Sequence, residues 1–346
     1  MKIQTGPPLA IHGLGKRANN EDNLYPALGS ATSKDTLFMV CDGVGGSEKG
    51  EIASDIACKA IADYYQKNRI AVSDTLTVEN AVAFARAEME RYCTDNPDSR
   101  GMATTLTFLH LHEHGATIAH VGDSRVYHVR DGQIVWCTKD HSYVNDLVKA
   151  GVITEAEART HPRRNVIMRA LQAEDKDVKA DVHHIKEPES GDYFFLCSDG
   201  VLESLDDDEL ASMFSANISD EARMEHIRKR CETFSQDNFT AYLVPIRTVE
   251  MLTVELLPAE EIAANVKTVK ADPAAKEKTS NINLWLLVAL IIISTGVFLL
   301  RKRTPELKPA KPTTEQVKAQ KDTLIPLHAA VPTKQRLKAK KNKKAQ

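Results

Sequence analysis

At 346 residues with 42% hydrophobic content, the chain can bury one large core or two modest ones. Its formal net charge of −3 hides an asymmetry: residues 301–346 carry 14 Lys/Arg against 3 Asp/Glu, so the body before them is acidic. An acidic body excludes nucleic acid as the main partner of the globular part. The six scattered cysteines contain no C-x-x-C pair, which excludes a zinc ribbon or a disulfide framework.

The N-terminus, MKIQTGPPLAIHG, lacks the apolar core of a signal peptide, so the body is expected to fold in a reducing cytoplasm. Residues 12–25 are polar and irregular, and contain Arg17 and the pair Glu21-Asp22. Residues 37–41 read as a buried strand that runs straight into Asp42-Gly43-Val44-Gly45-Gly46. Ile52, Ile56, Ala60 and Tyr64 have helical spacing over 51–67, and Ala81, Ala85, Met89 and Tyr92 repeat it over 78–93.

Strands are expected next, at 104–111 and 116–121. The Asp131-Gly132 pair predicts a hairpin between 125–129 and 133–137, and Gly122-Asp123-Ser124 sits at a strand junction. Residues 141–169 are mixed and partly helical. The apolar run 193–197 then enters Ser198-Asp199-Gly200, a second strand ending in Asp-Gly. A helical stretch over 207–231 leads to Gln236-Asp237-Asn238, and a strand at 239–244 closes the domain.

These patterns give an N-terminal segment at 1–9 and an α/β domain at 10–247. A linker at 248–283 and a basic tail at 301–346, expected to be disordered, flank the run 284–300. That run, LWLLVALIIISTGVFLL, has no charge, carries Trp285 near one end and meets Arg301-Lys302-Arg303 at the other. It just reaches the ~17 residues that a tilted or thin-membrane span accepts, so a single transmembrane helix is expected.

Asp42, Asp199 and Asp237 arrive at the ends or starts of apolar strands, and Asp123 follows one in the same way. Carboxylates that converge repel one another unless cations lie between them. Two divalent ions sharing a bridging Asp resolve this and activate water against phosphoesters. An all-oxygen shell suits Mg²⁺ or Mn²⁺ better than zinc. Arg17 could clamp a phosphate bidentately. Cys41 and Cys197 lie beside these carboxylates, but an apolar setting should keep their thiols inert. His110, His112 and His114 alternate into a turn and read as a solvated edge, with a metal site the lesser alternative. His183-His184 reads as a polar loop.

The set Arg17-x-x-x-Glu21-Asp22, Asp42-Gly43-x-Gly45-Gly46, Gly122-Asp123-Ser124-Arg125, Asp199-Gly200 and Asp237-Asn238 resembles the PPM family. These are the type-2C, metal-dependent serine/threonine protein phosphatases, in their compact bacterial form. Lys139-Asp140-His141-Ser142, Gly151-Val152-Ile153-Thr154 and His161-Pro162 carry the bacterial flavour of the likeness, which covers about residues 10–244.

The resemblance implies an α+β fold, a β-sandwich of two antiparallel sheets with helices packed outside. It also implies two Mn²⁺ or Mg²⁺ ions, with a third more weakly held. By analogy Asp42 bridges both metals, the Gly43 carbonyl ligates the second, and Asp199 and Asp237 hold the first. Glu21 and Asp22 act through water, Asp123 serves the third site, Arg17 holds the phosphate, and 141–165 form a flap over the substrate. A metal-activated water attacks phosphorus in line, without a phosphoenzyme.

Where some relatives carry a proton-donating His, this chain has Val44, which leaves His141 or a water for that role. Met168-Arg169-Ala170-Leu171-Gln172 also departs from relatives, which more often end there in glycine. The expected function is dephosphorylation of phosphoserine and phosphothreonine proteins opposite a cognate Ser/Thr kinase. The enzyme would be held at the inner membrane by 284–300 with its catalytic domain in the cytoplasm. The alternative is a tethered scaffold that binds phosphoproteins without turnover.

Overall fold

Burial alternates along the apolar strands in a way that sorts the chain into layers. The computed structural model describes residues 1–44 and 49–250. The glycines at 45 and 46, and the expected linker, membrane helix and tail beyond 250, lie outside the described residues. Among the described residues no helix is long and apolar enough to cross a membrane.

In chain order the elements are β1 (Lys2–Thr5), β2 (Leu9–Gly13), β3 (Asp22–Tyr25), β4 (Leu37–Val44), α1 (Gly50–Lys67) and α2 (Thr75–Asp95). There follow β5 (Ala103–Thr104), β6 (Leu106–His112), β7 (Gly115–Val121), β8 (Arg125–Arg130), β9 (Gln133–Cys137), α3 (Tyr143–Lys149) and α4 (Glu155–Thr160). The domain continues through β10 (Leu171–Gln172), β11 (Asp181–Ile185), β12 (Tyr193–Cys197), α5 (Asp199–Leu202), α6 (Asp207–Ser215), α7 (Asp220–Phe234) and β13 (Phe239–Glu250).

Two antiparallel sheets face each other. One runs β1-β13-β12-β8-β9, with β2 also on β13; the other runs β10-β5-β4-β6-β7-β11, with β3 also on β4. In β4, Phe38 and Val40 point between the sheets with Leu109, Ile118, Phe194, Leu196, Tyr242 and Val244. Met39 and Cys41 point the other way, against Ala53, Ala57 and Ile61 of α1 and Ala85 and Met89 of α2. On the far side Phe195 and Cys197 of β12 pack against Leu210, Ile227 and Cys231. The order is helix, sheet, sheet, helix, which bears out the α+β sandwich. Phe38 and Tyr242 meet edge-on at 5.4 Å between the sheets. Truncating Phe38 to Ala would cost ~3–5 kcal/mol.

Several expectations need correction. Lys2–Thr5 pair with β13 out to Glu250, so the sheet extends beyond the expected 10–247 at both ends. The stretch 207–231 is two helices, because the Ser219 side chain accepts the Ala222 N–H and caps a new start. His183 and His184 lie in β11 rather than a loop, and the His183 ring stacks on Trp136 at 4.3 Å.

Candidate metal centre

The sandwich is closed by hydrophobic side chains along its length and by carboxylates at one end. Asp42 has the same parity on β4 as Phe38 and Val40, so it continues the inward row where the apolar run ends. Asp22 sits opposite it in register on β3. Asp199 follows β12 and opens α5, and Asp237 precedes β13. Asp123 lies in the turn between β7 and β8, behind Gly122 at φ +102°. Gly43 has a steric reason to be glycine: a Cβ there would come within 2.4 Å of the Gly50 backbone at the start of α1.

The electrostatics are those of carboxylates buried close enough to act on one another. Burial, then Asp22, Asp199 and Asp123, push the Asp42 carboxyl well up. Burial also raises Asp22, Asp123 and Asp199, each with a neighbouring aspartate adding to it. The Asp42 and Asp199 side chains are near enough for each to act on the other's carboxyl. The Oδ1 atoms of Asp22, Asp123 and Asp199 are buried and have no hydrogen-bond partner among the described residues. Buried carboxylate oxygens are normally paired or bound to metal. The donors here are all oxygen, so the site fits Mg²⁺ or Mn²⁺.

Glu21 stands at the edge of this cluster, its side chain against Gly50; burial and Glu51 raise its carboxyl. Arg17 donates from Nη2 to Asp237 Oδ2 at 2.5 Å, with its side chain half exposed. The expected phosphate ligand and an expected metal ligand therefore share one lip of the site.

Residues whose roles the sequence did not disclose hold these groups in place. Asn238 accepts from the Glu21 N–H at 2.9 Å and donates to the carbonyls of Leu14 and Asn19, each at 2.9 Å. One amide thus clamps the loop that carries both Arg17 and Glu21. Gly15, at φ +59°, lets that loop lie against the Asp237 carbonyl, which a Cβ would meet at 1.9 Å. Thr105 Oγ1 accepts from Asp42 N–H at 3.0 Å and touches Ser124 Oγ at 2.7 Å, tying β4 to the Asp123 turn. Ser198 donates to Asp22 Oδ2 at 2.8 Å. Small polar residues beside apolar strands were the available signal.

His141 does not join the cluster. Its backbone N–H donates to the Gly122 carbonyl at 2.9 Å, and its Nδ1 accepts from the Gly122 N–H at 3.1 Å. The proton therefore sits on Nε2, which faces Asp181 Oδ2 at 3.2 Å. Burial, then the stacked His120 ring at 4.4 Å, lower His141 to about 4. It is a neutral group that fixes the backbone beside Asp123, and the expected proton-donor role has no support in its placement.

His120, His141 and Asp181 bring three ligand atoms within 4.8 Å of one another. Coordination through His141 Nε2 would require a second proton-free nitrogen, since Gly122 already donates to Nδ1. Arg169 Nη1 also lies 2.6 Å from Asp181. The cluster is an Arg–Asp–His hydrogen-bond chain. His110 is buried, not solvated, with Nδ1 on Ser73 Oγ at 2.7 Å, and His112 is held by Thr117. Contact with Cys58 and burial raise the Cys41 thiol well above its usual range; burial does the same for Cys197. Both stay protonated.

Oxygen donors gathered in this way bind ions that activate water against phosphoesters, so the class is that of a metal-dependent phosphohydrolase. Comparison with known proteins supplies the family. Residues 14–238 match the family described as Protein phosphatase 2C. A protein phosphatase 2C-type protein of Streptococcus pyogenes is 34% identical over 238 residues, 66% of this chain and 92% of its own length. The serine/threonine protein phosphatase PstP of Mycobacterium tuberculosis is 36% identical over 197 residues, 56% of this chain and 35% of that one.

Among solved structures, the M. tuberculosis serine/threonine phosphatase PstP/Ppp aligns with a TM-score of 0.62 at 29% identity, over 71% of this chain and 100% of that one. The PstP catalytic domain in complex with two manganese ions aligns with a TM-score of 0.59 at 29% identity, over the same shares. The chain belongs to the protein phosphatase 2C family and is a protein serine/threonine phosphatase.

Proposed function

We propose that this chain hydrolyses phosphoserine and phosphothreonine in proteins with two Mn²⁺ or Mg²⁺ ions, and a third more weakly held, at the carboxylate end of the sandwich. The observation that carries this is the trio of buried oxygens on Asp22, Asp123 and Asp199, unpartnered among the described residues, beside Asp42. Asp42 and the Gly43 carbonyl, with Asp199 and Asp237, would hold the ions; Glu21 and Asp22 would orient their waters, and Asp123 would serve the third. When bound, the ions supply an activated water and neutralise charge on the phosphoryl oxygens.

The chain's own contribution is binding and orientation. Arg17 uses one N–H on Asp237 and keeps the rest of its fork for two oxygens of a substrate phosphate. Asn238 fixes the backbone that aims it. The test is hydrolysis of p-nitrophenyl phosphate and a phosphothreonine peptide by the full chain with Mn²⁺. Activity that needs the ion and is lost in Asp42→Ala is expected; activity unchanged in Asp42→Ala would overturn the reading.

The setting is read from sequence. The uncharged run 284–300, bounded by Trp285 and Arg301-Lys302-Arg303, supports a single-pass tether in the inner membrane. The phosphatase domain would face the cytoplasm, where a Ser/Thr kinase supplies its substrates. This puts a basic tail outside, against the usual charge bias. Protease added to spheroplasts should cleave the tail. Protection there, with cleavage in inverted vesicles, would reverse the orientation.

A further inference from the structure

We propose that an arginine turn between α4 and β10 docks acidic residues flanking the phosphorylated residue, so that the preferred substrates are phosphoproteins with acidic neighbours. The proposal rests on the phosphatase reading above and narrows its substrate class. Between Arg159 and Arg169 the chain carries four arginines and no carboxylate, although the body is acidic. Arg169 is committed to Asp181. Arg159, Arg163 and Arg164 are exposed, and none forms an ion pair among the described residues.

The turn is built rather than loose. His161 Nδ1 accepts from the Arg163 N–H at 3.1 Å, the His161 carbonyl accepts from Arg164 N–H at 3.0 Å, and the Arg163 carbonyl accepts from Val166 N–H at 3.3 Å. The Arg163 guanidinium lies over the Tyr143 ring, 3.9 Å from its centroid. That stacking orders the fork while leaving its N–H edge for a carboxylate.

The turn is also rooted at the centre. Tyr143 N–H donates to the Val166 carbonyl at 2.9 Å, Met168 N–H donates to the His141 carbonyl at 2.8 Å, and His141 holds Gly122, the neighbour of Asp123. Chain geometry keeps the Arg163 guanidinium within about 25 Å of Asp123, which about seven residues of extended peptide can span. A peptide whose phosphate is at the centre can therefore lay its flanking carboxylates on these arginines. Three arginines fall short of the ~4–8 basic residues that a lipid-binding cluster presents, which favours a peptide over a membrane surface.

The experiment measures kcat/KM of the full chain with Mn²⁺ on two phosphothreonine peptides, identical except for Asp/Glu or Ser/Gln at the flanking positions. The acidic peptide should be preferred roughly three- to tenfold at low salt, and less at high salt. In Arg163→Ala/Arg164→Ala the ratio should fall to about one, and Arg163→Lys/Arg164→Lys should keep part of it. A ratio between substrates does not depend on the fraction of enzyme folded.

Equal rates in the unmodified chain, or an unchanged ratio in the double Ala variant, would overturn the proposal. So would loss of binding to phosphatidylserine vesicles in that variant with the peptide ratio intact, which would assign the arginines to lipid. Failure to hydrolyse either peptide or p-nitrophenyl phosphate would instead sink the phosphatase reading.

Discussion

The two ends of β12 bury carboxylates in opposite ways. Before its first residue, Asp192 is fully buried but receives Arg130 Nε and Nη2 at 2.7 and 2.8 Å, His128 Nε2 at 2.8 Å and the Glu189 N–H at 2.8 Å. Burial alone would push that carboxyl up, yet Arg130 and His128 outweigh it and hold it well below the usual range. After the strand's last residue, Asp199 faces Asp42 and Asp237, and burial raises it. One end carries its own cation, Arg130. At the other, Arg17 pairs with Asp237 at the lip while buried oxygens of Asp22, Asp123 and Asp199 have no partner among the described residues, so partnering separates the two ends more cleanly than burial does.

The comparison breaks most visibly at Asp42. Asp42→Asn should lower kcat/KM on the order of 10³-fold with Mn²⁺, yet raise the melting temperature of the metal-free protein by removing one of several like charges. Steady-state kinetics and thermal melts in chelator test the two halves. At the far end the signs reverse: Asp192→Ala removes the carboxylate that Arg130 and His128 share, leaving Arg130 only Glu189 and the Glu187 carbonyl, and should destabilise by ~3–5 kcal/mol, read by urea unfolding.

The pH dependence sharpens the same contrast. Burial raises the folded carboxyls to about 6 for Asp199, about 7 for Asp22 and about 8 for Asp123, above the unfolded value of 3.8. The native state therefore holds more protons than the unfolded one across that window. Metal-free stability should fall as pH rises from about 4 to 8. Asp192 works in the opposite sense, losing its contribution as pH falls below the unfolded value. Saturating Mn²⁺ should flatten the neutral-pH loss and add about 3 kcal/mol at 100 times its Kd. A metal-free melting curve that rises between pH 5 and 8 would contradict the uncompensated cluster. The smallest effect is expected for Asn238→Ala, which releases the Arg17 loop and should cost roughly 10–100-fold in kcat/KM, mostly through weaker metal and phosphate binding.

Much of this was legible in the chain itself. Apolar runs ending in Asp42-Gly43 and Asp199-Gly200 marked β4 and β12, because strands buried on both faces read as continuous apolar stretches. Helical spacing marked α1 and α2 within a few residues. The flanking strands were not legible. Lys2-Ile3-Gln4-Thr5 and Asp22-Asn23-Leu24-Tyr25 have little apolar content, and become strands because β13 and β4 offer them partners.

The supporting contacts stayed hidden for a related reason. Asn238 acts on the carbonyls of Leu14 and Asn19, more than 200 residues away, and backbone atoms carry no mark in sequence. His141 looked available for proton transfer because nothing in its neighbours discloses that the Gly122 N–H fills its Nδ1.

The place of β13 has a consequence for how the enzyme comes into being. The last strand described lies between the first two, β1 and β2, and β12. Until residues 239–250 leave the ribosome, the opening segment has nothing to pair with, and the loop bearing Arg17 and Glu21 has no Asn238 to close on. Chains that stop short of Phe239 hold Asp22, Asp42, Asp123, Asp199 and Asp237 but lack the strand that joins β1 and β2 to β12. Prematurely terminated copies should therefore be inactive, which p-nitrophenyl phosphate hydrolysis by a chain ending at residue 238 would check.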